Sequence, residues 1–339
     1  MKILITGGAG FVGATLARTL LARGQLAGQA LTALVLADQY APPDDLLADP
    51  RVQARTGPLL ALCDALGAEG FDGVFHLASA VSGECELDFD LGMRSNLDST
   101  RALLEALRTA TQAGQPPARL VFSSSVAVFG PDGTRPLPPR VGDDTLPAPQ
   151  TSYGVQKLVC EHLIADYTRK GFIDGRSARL MTVTVRPGKP NGAASSFFSG
   201  IIREPLAGVE AICPVDASVS HPFASPARTV AGLIAVFEAS REALGGRLAL
   251  NLPALNLRVA DMLDALETVA GPRVRALVRF VPDPRIAGIV AQWPQGATAV
   301  RAQALGLQPD ADFASIIRQY IADCERRPDA GTTLRALAP

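Results

Sequence analysis

Tyr153 and Lys157 are the residues whose types and spacing point most directly to catalysis, in the pattern Tyr153-Gly-Val-Gln-Lys157. Side chains four positions apart on a helix project from the same face, one turn apart. A free phenol titrates near ~10, and a neighbouring ammonium favours the phenolate and lowers that pKa. The pair therefore predicts a base that accepts a hydroxyl proton. The same spacing arises by chance on amphipathic helices, so other parts of the chain must supply supporting residues.

Glycines near the start of the chain have the spacing of a dinucleotide-binding turn. The apolar run Lys2–Ile5 predicts a strand, and leucines recurring between Ala14 and Arg23 predict a helix. Glycines in the intervening turn let the backbone approach a pyrophosphate, and the helix N-terminus offers N–H donors and the positive end of its dipole. We therefore predict that a dinucleotide contacts Gly7, Gly10, Phe11, Val12 and Gly13.

The residues after this helix distinguish NAD from NADP. A second strand, Leu31–Ala37, is predicted to end at Asp38, whose carboxylate can accept hydrogen bonds from the ribose hydroxyls of the cofactor. That carboxylate would repel a 2′-phosphate, and no arginine follows it in Gln39-Tyr-Ala41. The sequence therefore predicts NAD. A structural glycine turn followed by a surface aspartate is the alternative explanation.

Strand and helix patterns then alternate, which favours an α/β fold with a Rossmann-type, doubly wound parallel sheet. Further strands are predicted at Val52–Arg55, Gly73–Ser79, Arg119–Phe129 and Met181–Val185. In such sheets ligands gather at the carboxyl ends of the strands. Several serines are predicted to lie at that edge, namely Ser79, Ser82, Ser124 and Ser125.

The alternation becomes irregular after the sixth predicted strand, which indicates a small C-terminal substrate-binding lobe. We expect residues 1–186 to form an NAD-binding Rossmann domain, with segments near 225–255 packing back on it. Residues 187–327 are expected to form mainly the substrate-binding lobe, and 328–339 a flexible tail. The stretch Arg186–Phe198 is dense in glycine, proline and serine, which is typical of a loop that faces a ligand.

Composition excludes several classes of protein. The chain has 339 residues and a net charge of -1, so it lacks the basic excess that nucleic acids or anionic membranes attract. Its five cysteines are dispersed without a C-x-x-C pair, which argues against a disulfide framework or a zinc site. The opening apolar run is too short for a signal peptide or a membrane span. We expect a cytoplasmic enzyme that acts on a small molecule, binds no metal, and has neither nucleic acid nor membrane as a partner.

Several motifs occur together in this order: T-G-G-A-G-F-V-G at 6–13, Asp38, H-L-A-S at 76–79, F-S-S-S-V-A-V-F-G at 122–130, Y-x-x-x-K at 153–157 and R-P-G at 186–188. As a set they resemble the extended short-chain dehydrogenase/reductases of the NAD-dependent epimerase/dehydratase superfamily. Within it, the stretches at 82–93 and 185–205 are similar to the D-erythronate dehydrogenase group. The chain departs from the family pattern at Phe129, where many relatives have Tyr, and at Gly57-Pro-Leu59, where an Asp commonly contacts adenine.

The resemblance implies a role for each catalytic residue. Tyr153 would take the substrate hydroxyl proton, Lys157 would lower the pKa of Tyr153 and hold the nicotinamide ribose, and Ser125 would hydrogen-bond the reacting oxygen. Ser124 could share or exchange the role of Ser125. We also expect a homodimer. Further cofactor contacts are implied for Leu59, Leu77, Ala78, Ser79, Ser123, Tyr153, Lys157 and Pro187.

The narrower resemblance implies oxidation of a secondary hydroxyl on a short sugar acid, D-erythronate, to 2-dehydro-D-erythronate. The alternative is a UDP-hexose 4-epimerase with tightly bound NAD. A regulatory protein without turnover is disfavoured because the catalytic residues are intact. A sugar acid needs a cation for its carboxylate; Arg203 is our hypothesis, and a surface arginine, solvated or paired with Glu204, is the alternative. The substrate is predicted to contact Ser82, Ser124, Ser125, Tyr153, Lys189, Asn191, Ser195 and Arg203.

Overall fold

The computed structural model describes residues 1–188 and 194–337. Its strands are β1 (Lys2–Thr6), β2 (Gln25–Leu26), β3 (Gln29–Ala30), β4 (Ala33–Asp38), β5 (Val52–Thr56), β6 (Gly73–His76), β7 (Arg119–Ser125), β8 (Asp174–Leu180), β9 (Thr182–Val183), β10 (Ala211–Cys213), β11 (Ser220–Ala224), β12 (Leu250–Asn251), β13 (Leu255–Arg258) and β14 (Val278–Phe280).

Its helices are α1 (Phe11–Arg23), α2 (Asp44–Leu47), α3 (Leu59–Glu69), α4 (Ser82–Leu87), α5 (Phe89–Gly92), α6 (Ser99–Gln112), α7 (Ser152–Arg169), α8 (Ser196–Leu206), α9 (Pro226–Glu238), α10 (Arg241–Leu244), α11 (Val259–Ala270), α12 (Pro272–Arg275), α13 (Pro284–Val290), α14 (Val300–Ala304), α15 (Phe313–Glu325) and α16 (Ala330–Thr333). A π-helical segment, Met93–Asp98, runs directly into α6.

The central sheet has seven parallel strands in the order β12-β8-β7-β6-β1-β4-β5. The chain moves outward from β1 through β4 to β5, then crosses back to β6 and continues through β7 and β8 in the opposite direction. This reversal between β1 and β6 is the topological switch point, where doubly wound sheets bind their ligands. The predicted Rossmann-type parallel sheet is confirmed.

Both faces of the sheet are covered by helices, because its strands alternate buried side chains between two cores. On one face Ile3 and Ile5 of β1 pack with Leu16 of α1 and Leu233 of α9. On the other face Leu4 belongs to a core that α3, α6 and α7 complete. A strand buried on both faces needs a continuous apolar run, which explains the composition of β1.

The smaller lobe has its own core, formed chiefly by α8, α11 and α15. Its short sheets are β13-β11-β9 and the parallel pair β10-β14. Two later segments return to the central sheet: α9 packs on the first core, and β12 pairs with β8. The lobe therefore lies beyond the carboxyl ends of β6, β7 and β8 while remaining tied to the sheet.

The predicted sixth strand at Met181–Val185 is wrong. The chain forms the strand earlier, as β8, whereas Thr182–Val183 pairs with β11 in the lobe. The sequence of β8 conceals it, because Arg176 and Arg179 are only 2% and 5% exposed. Their charges are paired with Asp174 and Glu161, so a polar sequence occupies a buried strand.

The segment expected to be a flexible tail is folded onto the lobe over its described residues. It forms α16, and Leu334 and Leu337 pack against the lobe core. Among the described residues, none of the helices combines the length and apolar character that a membrane crossing would require.

Candidate functional site

The turn after β1 brings the predicted cofactor-binding glycines against the start of α1. Gly7 has a left-handed φ of +73°, and its N–H donates to the carbonyl of Ala37 at 2.8 Å. A Cβ at Gly13 would lie only 2.1 Å from the Gly7 carbonyl oxygen. Gly10 is the N-cap of α1 and has no side chain to offer the first-turn N–H groups. These groups therefore suit an anionic ligand such as a pyrophosphate.

Asp38 lies at the carboxyl end of β4, next to this turn. Its Oδ2 accepts a hydrogen bond from the Ala9 N–H at 3.0 Å, and its Oδ1 accepts one from Tyr40 at 3.1 Å. Each carboxylate oxygen keeps a lone pair for a further donor such as a ribose hydroxyl. Leu59 begins α3 close by, since the N–H of Gly57 donates to the Asp38 carbonyl at 2.9 Å.

The ends of β6 and β7 continue this edge of the sheet. A Cβ on Gly7 would meet the backbone nitrogen of Ala78 at 2.8 Å, so the chain after β6 passes directly beside the glycine turn. Ser79 Oγ donates to Asn96 Oδ1 at 3.0 Å, and Ser123 Oγ donates to the His76 carbonyl at 3.2 Å. The second bond ties the end of β7 to that of β6, and the first ties the chain after β6 to the π-helical segment.

The two candidate catalytic serines have different surroundings. Ser124 is 2% exposed and donates to Glu161 Oε1 at 2.5 Å, so its hydroxyl hydrogen is already used. Ser125 accepts the N–H of Ala127 at 3.1 Å, and its hydroxyl lies near enough to Tyr153 to lower the pKa of the phenol. The geometry therefore favours Ser125 as the hydroxyl that acts with Tyr153.

Tyr153 and Lys157 occupy one face of α7, as their spacing predicts. Lys157 Nζ lies 5.5 Å from the centre of the Tyr153 ring and donates to the Ser123 carbonyl at 2.9 Å. Burial lowers the pKa of Lys157 to about 8. Burial also raises the pKa of Tyr153, while the hydroxyl of Ser125 and the charge of Arg186 lower it. Arg186 is therefore a second cation beside this phenol, in addition to Lys157 on the same face of α7.

These groups face a cavity of about 630 Å³ between the sheet and the lobe. On the Rossmann side its lining includes Phe11, Val12, Leu77, Ser79, Ser123, Ser124, Ser125, Tyr153 and Lys157. Pro187 lies next to this region, where it shares a small cleft with Phe11. A cavity of this size accommodates a small ligand together with the reactive end of a cofactor.

The predicted substrate residues are only partly brought together. Ser82 opens α4 and Ser195 is the N-cap of α8, and both line the cavity. Lys189 and Asn191 fall outside the described residues.

Arg203 does not line this cavity among the described residues, which corrects its predicted place beside the ligand. It is 7% exposed on α8, and its Nη2 bonds to Glu204 Oε1 at 2.5 Å. Its Nη1 donates to the carbonyl of Arg186 at 2.8 Å. The Arg203 guanidinium is therefore bonded to partners inside the protein. It contacts Arg186, which lines the cavity, and does not itself form part of the cavity wall.

Arg186 lines the cavity, although sequence reasoning assigned it no role. Its N–H donates to Ser199 Oγ at 3.0 Å, its carbonyl accepts from Arg203, and its Nε donates to the Val183 carbonyl at 3.1 Å. These bonds fix the backbone and the side chain of Arg186 beside Tyr153. The R-P-G motif contains Arg186, but the direction in which its side chain points depends on contacts with Val183 and α8.

The lobe supplies lining residues that sequence reasoning missed altogether. They include His221, Arg285 and Trp293, and Thr182 joins them from β9. No local motif marks these positions. They reach the cavity only because the lobe folds over the edge of the sheet.

Comparison with known proteins gives a consistent result. Residues 3–247 match the model of the NAD dependent epimerase/dehydratase family. The D-erythronate dehydrogenase of Cupriavidus necator is 50% identical over 95% of this chain and 98% of that protein. The D-erythronate dehydrogenase of Haemophilus influenzae is 41% identical over 95% of this chain and 99% of that protein.

Solved structures agree on the fold. The nucleoside-diphosphate-sugar epimerase from Agrobacterium tumefaciens superposes with a TM-score of 0.90 at 42% identity, covering 95% of this chain and 94% of that one. The L-threonine 3-dehydrogenase from Trypanosoma brucei gives a TM-score of 0.80 at 23% identity, with 95% and 96% coverage. The second likeness concerns the fold alone.

Proposed function

Because this chain belongs to the NAD dependent epimerase/dehydratase family, we propose that it is an NAD-dependent dehydrogenase that oxidises D-erythronate to 2-dehydro-D-erythronate. The names of its relatives at 50% and 41% identity support this substrate. The observation that carries the reaction type is that Ser125, Tyr153 and Lys157 line the same cavity, with Lys157 Nζ 5.5 Å from the centre of the phenol ring.

The glycine turn and Asp38 fit NAD. The glycine at position 13 lets α1 pack directly against the turn, because a Cβ there would lie 2.1 Å from the Gly7 carbonyl oxygen, and the uncapped N–H groups at the start of α1 suit a pyrophosphate. The carboxylate of Asp38 fits a ribose diol and repels a 2′-phosphate. When bound, the cofactor supplies the hydride acceptor.

The residues of the chain manage the proton and the reacting oxygen. Tyr153 accepts the proton of the substrate hydroxyl, and Ser125 hydrogen-bonds the oxygen as it becomes a carbonyl. The positive charge of Arg186 favours the phenolate form of Tyr153, which is the form that can act as a base. Lys157 holds the end of β7 through the Ser123 carbonyl, and it would contact the ribose next to the nicotinamide when the cofactor is bound.

We assign the substrate carboxylate to Arg186 in place of Arg203. A carboxylate in a partly dry cavity needs a fixed cation, and Arg186 is fixed by bonds from both its backbone and its side chain. Arg203 acts as a positioning residue because it holds the Arg186 carbonyl. Arg285 is the rival cation on the lobe side, but it is exposed to solvent.

Substitution separates these arginines. Arg186→Ala should raise the KM for D-erythronate at least about tenfold, and Arg186→Lys should restore it only in part, because lysine lacks the bidentate geometry. Arg285→Ala is the matched control and should change KM less than about threefold. The opposite ranking would move the carboxylate to the lobe.

A nucleotide-sugar 4-epimerase is the second candidate, and the name of the relative from Agrobacterium tumefaciens favours it. The two activities differ in redox balance. A dehydrogenase accumulates NADH with D-erythronate, whereas an epimerase converts a UDP-hexose to its 4-epimer without net NADH. Incubation of the purified enzyme with NAD and each substrate, with NADH absorbance and sugar composition measured together, decides between them. Epimer formation without NADH would overturn the dehydrogenase assignment.

We also propose a homodimer. Val155 and Val159 lie four residues apart on α7 and are 46% and 39% exposed, and Phe89 on neighbouring α5 is 60% exposed. An apolar surface of this kind is typical of a contact between subunits. Light scattering after gel filtration should give twice the chain mass, and Val159→Asp should give the monomer. A monomeric wild-type enzyme would refute the proposal.

The cytoplasm is the proposed location. Cys63, Cys85, Cys160, Cys213 and Cys324 are all unbridged and buried, which suits a reducing compartment. Cell fractionation tests this directly.

A further inference from the structure

Thr182 and His221 meet on the wall of the active-site cavity, where β9 and β11 lie side by side. Thr182 Oγ1 is 2.7 Å from His221 Nε2, and His221 Nδ1 is 3.1 Å from the carbonyl oxygen of Pro294. The threonine and histidine are 8% and 2% exposed. The imidazole is further held by the ring of Phe198, which stacks on it at 5.3 Å with an interplanar angle of 11°.

The partners of the histidine determine which way each hydrogen bond runs. A carbonyl oxygen can only accept, so Nδ1 carries a hydrogen and donates it to Pro294. Burial lowers the pKa of His221 to about 3, so the ring is neutral near pH 7 and its Nε2 has no hydrogen. Nε2 must therefore accept, and the hydroxyl of Thr182 must donate to it. This leaves the Thr182 oxygen with lone pairs alone for any further partner.

An oxygen that can only accept selects ligand groups that carry a hydrogen. A carboxylate or a ketone placed against Thr182 Oγ1 would set lone pair against lone pair, whereas a hydroxyl would donate to it. The hydroxyl being oxidised is already assigned to Tyr153 and Ser125, and the carboxylate to Arg186. A polyhydroxy acid has further hydroxyls that need a partner inside the cavity.

We propose that Thr182, with its hydroxyl direction set by His221 and the Pro294 carbonyl, is a specificity-determining residue that accepts a hydrogen bond from a substrate hydroxyl other than the one oxidised. This inference rests on the proposed function and extends it to the rest of the substrate. It also orients the acid, with the carboxylate at Arg186 and a remaining hydroxyl at Thr182. Simple 2-hydroxy acids without that hydroxyl leave the threonine oxygen unpaired, so the site discriminates against them.

The test compares D-erythronate with its analogues that lack the hydroxyl at carbon 3 or at carbon 4. The wild-type enzyme should lose about tenfold in kcat/KM with at least one analogue, the loss expected for one hydrogen bond in a partly buried site. Thr182→Val keeps the shape but removes the acceptor, so its kcat/KM for D-erythronate should fall by a similar factor. The variant should then treat D-erythronate and that analogue alike. Thr182→Ser keeps the oxygen and should retain most of the wild-type discrimination.

His221→Phe separates a role in directing the Thr182 hydroxyl from a purely structural role. It keeps an aromatic ring against Phe198 but removes the acceptor, so the Thr182 hydroxyl becomes free to donate. The ratio of kcat/KM for D-erythronate to kcat/KM for the analogue should therefore fall toward the ratio seen in Thr182→Val. NADH binding, measured by fluorescence, confirms that each variant retains its folded cofactor site.

The inference would be overturned if loss of the substrate hydroxyl lowered kcat/KM by the same factor in the wild-type enzyme and in Thr182→Val. It would also be overturned if the wild-type enzyme lost no kcat/KM with either analogue. Failure of the proposed function is seen separately, because the wild-type enzyme would then form no NADH from D-erythronate. In that case the same acids are compared by their protection of the enzyme against thermal unfolding. Protection that depends on the hydroxyl in wild-type enzyme but not in Thr182→Val would still support the role of Thr182, and its absence would overturn it.

Discussion

Removing Arg179 alone should destabilise this enzyme far more than removing the whole ion pair that it forms. Arg179 on β8 bonds to Glu161 on α7, with Nε–Oε1 and Nη2–Oε2 distances of 2.9 Å and 2.8 Å. The arginine and glutamate side chains are 6% and 5% exposed. Ser124 donates a further hydrogen bond to the same carboxylate. The pair lies under the strand end that carries Ser125.

The magnitude follows from what each variant leaves behind. Arg179→Met leaves the Glu161 carboxylate buried with one hydroxyl donor, and an uncompensated buried charge costs about 3–5 kcal/mol. Glu161→Leu combined with Arg179→Met replaces both charges by apolar groups of similar volume, which is often nearly neutral. Ser124 then loses its acceptor, at a cost of about 1 kcal/mol. The double variant should therefore be more stable than Arg179→Met by about 2 kcal/mol or more.

Urea unfolding of the wild-type enzyme, both single variants and the double variant measures these differences. Arg169→Met is the matched control, because it removes an ion pair with Asp166 on the same helix whose members are 53% and 55% exposed. Exposed pairs contribute little, so this variant should lose less than about 1 kcal/mol.

A loss of stability below about 1 kcal/mol for Arg179→Met at pH 8, or a loss equal to that of the double variant, would refute the reasoning.

Four further outcomes follow from the site and from the buried titratable groups. Tyr153→Phe should leave less than a few per cent of turnover with NADH binding nearly unchanged, since it removes the proton acceptor alone; substantial turnover, measured by NADH formation, would exclude Tyr153 as the base. Asp38→Ala should reduce the ratio of kcat/KM for NAD to that for NADP, and an unchanged ratio would show that Asp38 does not face the ribose. Burial lowers the pKa of Lys157 from 10.5 to about 8, so the folded state loses this proton at a lower pH than the unfolded state, and the stability of the wild-type enzyme should rise between pH 8 and 10.5. Lys157→Met should therefore be more stable than the wild type at pH 7 by up to about 3 kcal/mol. A stability difference between the two proteins that stays constant across this pH range would contradict the expectation. Burial lowers the pKa values of His76 and His221 from 6.5 to about 3, so the unfolded state binds protons first and stability should fall by about 2 kcal/mol for each histidine between pH 7 and 5, as urea unfolding at the two values would show.

Features that depend on short stretches of chain can be predicted from the amino-acid sequence. The alternation of apolar strands and amphipathic helices indicates the doubly wound sheet, because a strand buried on both faces is a short continuous apolar run, whereas a helix buried on one face repeats its apolar residues about every 3.6 positions. The glycine turn was recognisable for the same local reason, since a close approach such as that of Gly13 to Gly7 excludes any Cβ. Tyr153 and Lys157 could be paired from their helical spacing alone.

Other features depended on contacts that the pattern within one element does not reveal. The position of β8 is missed because Arg176 and Arg179 are buried, which is acceptable only when Asp174 and Glu161 neutralise them. The partner of Arg179 lies 18 residues earlier on α7, outside the strand itself. A hydrophobic pattern cannot identify a buried strand whose charges are satisfied in this way.

The surroundings of the substrate were decided by tertiary structure alone. Arg186 and Arg203 lie 17 positions apart, and residue type alone gives no reason to prefer either as a ligand for a carboxylate. The difference lies in their partners: Arg203 is used by Glu204 and the Arg186 carbonyl, while Arg186 lines the cavity beside Tyr153. His221 likewise acquires a direction for its hydrogen bonds only from the Pro294 carbonyl. The type of each side chain can be read from the sequence. The partner that pairs with its charge or sets the direction of its hydrogen bond comes into contact with it only when the lobe packs on the sheet.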